Sequence, residues 1–162
     1  MTRIALLSIA ALGAALSGCG VTGADCASQA SRDVVTSILR EQVEKAAEAD
    51  LQAPDGQPLV ASAKVRATVA ELKVLIEDVR TTKKDPDSTK RFCAGTARVV
   101  APLAMIQDAD LTRKLLDMGT VDALLTEASM KRSADSVSFD LEYSVQPTDK
   151  RDKIYAEVEG AA

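Results

Sequence analysis

Histidine and tryptophan do not occur in the 162 residues, and the whole aromatic set is two phenylalanines and two tyrosines. Without histidine the usual general base for a serine or cysteine nucleophile is missing, as are most of the donor sets that hold zinc. Scarce aromatics remove the platforms on which unpaired bases stack. No Lys/Arg run dominates a segment, so a phosphate-neutralising stripe is missing too, and nucleic acid is not an expected partner. Glycine-rich phosphate loops, a GxSxG elbow and HExxH are equally absent. The uncharged apolar run from Ile4 to Leu16 would span only about 20 Å as a helix, short of a hydrocarbon core of roughly 30 Å.

Acidic residues are plentiful, at 24 Asp and Glu against 20 Lys and Arg. A carboxylate pair of the glycosidase type is the one catalytic arrangement still open, since its members can lie far apart in sequence. Most of the acids, however, occupy the polar positions of amphipathic segments, where solvation alone accounts for them. Asp85 and Asp87 with Ser88, and Asp108 with Asp110, lack the calcium-loop spacing with its glycine and distal glutamate. Turn formation at Asp85 and Asp87 and helix capping at Asp108 or Asp110 are the expected roles. No metal, no cofactor and no enzymatic activity are expected.

What is present begins with Arg3, the short apolar run and then Leu16-Ser17-Gly18-Cys19. A basic start, a short apolar centre and small residues at its end form the layout of a secretory leader. The final four residues resemble the lipobox of bacterial lipoproteins. That resemblance implies cleavage before Cys19, diacylation of its thiol and acylation of the new amino group. Two or more acyl chains, at about 0.8 kcal/mol per buried methylene, hold stably in a bilayer. In the Gram-negative sorting pattern an aspartate after the cysteine retains the protein at the inner membrane. Gly20 therefore implies the periplasmic face of the outer membrane. The expected division is a leader over 1–18, the lipidated cysteine and a short tether over 19–25, and one domain over 26–160. Losing Arg3 leaves 19 basic against 24 acidic residues, a net charge of −5 on 144 residues, enough chain for one core.

With Cys19 given to lipid, Cys26 and Cys93 remain, and an exported compartment is one where thiols pair. Closing that loop should stabilise the fold by about 4 kcal/mol on chain-entropy grounds. Between Cys19 and Cys26 stand only the six residues GVTGAD, which reach about 20 Å at full extension. A domain bridged at Cys26 is thus expected to sit close to the bilayer.

Along the domain, Val35, Ile38, Leu39, Val43, Ala46 and Ala47 form an apolar stripe that predicts a helix from Ser28 to Leu51. Ser31 is expected to cap it, with Asp33 in its first turn. QAPDGQP then marks a loop. Val65, Val69, Leu72, Ile76 and Val79 keep a helical spacing while Leu72, Val74 and Ile76 also alternate, so 65–80 reads either way. A strand over about Ala70–Thr82 is preferred, turning through KKDPDSTK into RFCAGTARVVA with Cys93 on the second strand. That hairpin would gather Arg80, Lys83, Lys84, Lys90 and Arg91 into a basic loop able to meet a partner, although a charged tip often only solubilises an edge. Asp110–Lys131 reads as helix, split near Gly119-Thr120, with Leu111, Leu115, Met118, Leu124, Leu125 and Ala128 available for burial. Val137, Phe139, Leu141, Tyr143 and Val145 alternate with polar residues as a half-buried strand, and PTDKRD returns it into a second strand over Lys153–Glu159.

The expected fold is α+β: a long N-terminal helix packed on an antiparallel sheet of about four strands, with a helical insertion between the strand pairs. This element order resembles that of cystatin-like and NTF2-like envelope lipoproteins, in which a curved sheet wraps a helix. The expected function is that of a non-catalytic envelope lipoprotein, held by acylated Cys19, that binds a protein or envelope component near the membrane face. An inhibitor or immunity lipoprotein against a wall-degrading enzyme or toxin would share these features. A carboxylate-dependent hydrolase would need two carboxyl groups converging in an apolar cleft.

Overall fold

A computed structural model describes residues 24–159. The expected leader and Cys19 lie outside the described residues, as does residue 160 of the expected domain. The fold is α+β. Helix α1 (Gln29–Asp50) is followed by α2 (Ser62–Ala70), strands β1 (Lys73–Lys84) and β2 (Arg91–Val100), helices α3 (Leu103–Leu115) and α4 (Val121–Glu127), and strands β3 (Lys131–Arg132), β4 (Ser136–Pro147) and β5 (Ile154–Glu159). The sheet runs β1-β2-β4, and β3 and β5 both pair with β4. Every pairing is antiparallel. The helical insertion α3–α4 separates the strand pair β1–β2 from β4–β5.

One face of the sheet is dry because α1 lies across it. Val35 and Leu39 of α1 meet Val74, Ile76, Cys93, Ala97, Leu141, Tyr143, Val145 and Ala156 in a single core cluster. The strand members face the same way because they are register partners, Ile76 opposite Ala97, Cys93 opposite Tyr143 and Val145 opposite Ala156. The other face carries polar pairs, such as Glu77 bonded twice to the Arg98 guanidinium at 3.0 and 2.7 Å.

Several local expectations are corrected. Ser28, not Ser31, caps α1: its hydroxyl accepts the Ser31 N–H at 3.2 Å, and Ser31 itself is buried. Asp33 accordingly lies beyond the first turn, which has no acid. Burial along α1 stops at Leu39, leaving Val43 and Ala46 exposed, and the second half of the helix lies beside α2, where Arg66 pairs with Glu44 at 2.9 Å. Segment 65–80 is helix and then strand. Val65 and Val69 are buried from α2, Val74 and Ile76 from β1, with Glu71 closing the helix. Helix α3 starts at Leu103 rather than Asp110, because the Pro102 carbonyl takes the N–H groups of Met105 and Ile106. Asp108 and Asp110 lie inside it and cap nothing. The break at Gly119-Thr120 is present: Gly119 has φ 71°, and the Thr120 hydroxyl caps α4 through the Ala123 N–H at 3.1 Å.

Candidate functional site

The chain enters the described fold at Ala24, and two residues later Cys26 is bonded to Cys93 on β2, with the Cα atoms 5.7 Å apart. A second fastening holds the same point. The Tyr143 hydroxyl, on a side chain only 1 % exposed, donates to the Cys26 carbonyl at 2.9 Å. Burial is the main cause that pushes the Tyr143 phenol above its ordinary pKa. The Thr81 hydroxyl approaches the Cys26 sulfur at 3.3 Å, and Arg32 donates to the Ala27 carbonyl at 2.6 and 3.0 Å. The start of α1 is therefore fixed to one end of the sheet.

That end, here the entry pole, also carries the β1–β2 turn. Asp85 is a turn residue as expected: its carboxylate accepts the Asp87 N–H at 3.0 Å and the Ser88 hydroxyl at 2.7 Å, which hold its pKa low. The five basic residues do not form one patch. Lys83 and Lys90 lie 5.6 and 5.4 Å from the Phe92 ring centroid on the outer face, and Lys90 also pairs with Glu157 at 2.5 Å. Lys84 is opposite Arg91, whose guanidinium stands 3.9 Å from Asp25. Arg80 is set back along β1, opposite Ala94 and beyond a register shift. Lys84, Lys90 and Arg91 come together with Ala24 around a shallow depression of ≈ 210 Å³.

The opposite end of the sheet, the distal pole, holds the helical insertion. Helix α3 leaves from the end of β2, and β3 hydrogen-bonds to the start of β4. Arg132 of β3 bonds to both Asp110 carboxylate oxygens at 3.1 and 2.6 Å, and reaches Asp122 of α4 at 3.2 Å. One guanidinium thus ties both helices to the sheet. An open hollow of ≈ 600 Å³ forms beside it, lined in part by Arg113, Lys114 and Asp117. The bonds from Arg132 hold the Asp110 carboxyl below the usual carboxylate range. A carboxylate so held stays charged and is a poor proton donor near neutral pH. No cluster of three or more His, Cys, Asp or Glu placed to hold a metal occurs among the described residues.

The apolar residues of the insertion depart from expectation. No residue of α3 or α4 is buried. Leu115 is 75 % and Leu116 62 % exposed, and Leu111, Met118 and Leu124 are exposed as well. The reason is topological: α1 already covers the apolar sheet face, and the insertion hangs off the sheet's end. Periodicity reveals that a helix has an apolar side, not whether the fold supplies a cover. Spacing likewise gave no sign of the Arg132 bridge or the Tyr143 clasp, whose partners are 22 and 117 residues away.

No helix among the described residues is long and apolar enough to cross a membrane. No family model, no curated protein and no solved structure matches the chain.

Proposed function

We propose that the protein is an acyl-anchored, non-catalytic envelope lipoprotein on the periplasmic face of the outer membrane, and that it binds a partner protein through α3–α4. The anchor rests on the residues Leu16-Ser17-Gly18-Cys19 after the apolar run, and the compartment on Gly20 and on the disulfide. The observation that carries the binding role is the uncovered face formed by Leu111, Leu115, Leu116, Met118 and Leu124. Isolated exposed apolar residues are ordinary, but five large ones gathered on one short insertion of an otherwise charged domain favour an interaction surface. Its place at the distal pole supports the same reading. A short tether holds the entry pole at the bilayer and turns α3–α4 toward the periplasm, within one domain length of the membrane.

The experiment is in-cell photocrosslinking from positions 115 and 124, with position 140 on the solvated sheet face as control, followed by mass spectrometry. One reproducible protein partner at both helix positions is the expected result, with the crosslink from position 124 lost in Leu111→Ser/Leu115→Ser. Crosslinks that are absent, or that do not differ between the helix positions and the control, overturn it. The double variant should fold normally, because both side chains are exposed already.

A further inference from the structure

The entry pole has a charge that the rest of the molecule opposes. Residues 83–91 carry four basic against two acidic side chains, and the second turn at this pole, 148–153, carries three against two. Together the two turns hold +3 on a chain whose expected mature form is −5 overall, and Asp25 and Glu157 beside them offset two of these charges through Arg91 and Lys90. Both turns lie at one end because Arg91 is opposite Val145 in the β2–β4 register and β5 begins opposite Pro147. Ala24 lines the depression there with Lys84, Asp85, Ser88, Lys90 and Arg91. Ala24 is five residues from Cys19, a span of at most about 18 Å.

We infer that this pole is a docking surface for the anionic phospholipid headgroups of the bilayer that holds the anchor. Lys83, Lys84, Lys150 and Arg151 have no acidic ion-pair partner among the described residues, and the depression beside Lys84 is large enough to admit a phosphate group. The remainder of the chain, being acidic, is repelled by the same surface. Attraction at one end and repulsion elsewhere stand the domain upright on its tether. The inference rests on the lipid-anchor reading and adds to it an orientation: entry pole down, α3–α4 outward.

The test uses the full-length protein purified from membranes and reconstituted into vesicles of phosphatidylcholine, with and without phosphatidylglycerol. Limited trypsin digestion is followed by mass spectrometry. Cleavage within 83–91 and 150–153 should slow by about tenfold or more on the anionic vesicles, since each basic residue at such a surface is worth roughly fivefold. Cleavage at Arg113 and Lys114, at the other end, should not change. High salt should abolish the protection, as should Lys83→Gln/Lys84→Gln, which leaves acylation intact and is read at the remaining sites Arg91, Lys150 and Arg151. Equal cleavage of the turns on both vesicle types, with the protein acylated and vesicle-bound, overturns the docking surface and leaves the anchor standing. An intact mass showing no acyl group at Cys19 overturns the anchor reading, and the docking inference with it.

Discussion

Opening the Cys26–Cys93 bond should lower stability and also change how the fold responds to a second substitution. The two half-cystines are 67 residues apart in sequence, so the loop-closure entropy removed from the unfolded chain amounts to about 4 kcal/mol. At a slope of roughly 2 kcal/mol per molar urea, that moves the unfolding midpoint down by about 2 M. The clasp from Tyr143 to the Cys26 carbonyl remains when the bond is reduced, because it acts on backbone and not on sulfur. In the oxidised protein Cys26 is pinned, so Tyr143→Phe strands a buried carbonyl, at a cost of about 1–3 kcal/mol. In the reduced protein the entry segment can swing out and let water reach that carbonyl, so the same substitution should cost less. Urea titrations of both proteins, with and without reductant, complete the cycle. A midpoint shift on reduction under about 0.5 M, well below the chain-entropy expectation, would refute the reasoning. So would an equal Tyr143→Phe cost in both states.

Two further outcomes follow from the packing and the ion pairs. Gly95 faces the core beside the β1 bulge, where a Cβ would stand 2.9 Å from the Glu77 carbonyl oxygen and 3.4 Å from Val79 Cγ2; Gly95→Ala should therefore destabilise by about 1–3 kcal/mol, read as a lowered urea midpoint. Asp110 has its folded pKa lowered by Arg132, so its contribution is present above the unfolded carboxylate pKa and is lost as pH falls through the folded value. Hydrogen exchange should then show α3–α4 losing protection on acidification below the usual carboxylate range before the β2–β4 pairing does, with no change between pH 6 and 8. Arg132→Met should produce the same selective loss at neutral pH.

The parts of the fold that were legible beforehand are those where one short stretch carries its own period or its own turn chemistry. Alternation from Val137 to Val145 announced β4, and Asp85 with Ser88 announced the β1–β2 turn that the structure contains. Even there the reading was partial: Ser144, on the supposedly wet face, is buried, with its hydroxyl 3.2 Å from Glu157. The disulfide came from elimination, since only two thiols remain once Cys19 is set aside. Boundaries were less legible, because Leu72, Val74 and Ile76 satisfy two periods and only the burial of Val74 and Ile76 against α1 decides between them. The basic cluster was legible as composition but not as geometry. Register shifts in β1 and the alternation of β2 divide its members between faces, which no spacing rule supplies. The bare leucines of α3–α4 were the least legible, as burial depends on what else the sheet has left to offer.

The proposed acyl anchor at Cys19 is tested most directly by intact-mass analysis of the protein recovered from fractionated cells. The expected result is a chain in the outer-membrane fraction that begins at Cys19, lacks residues 1–18 and carries acyl chains. A chain released by osmotic shock with an unmodified sulfur at that position would contradict it.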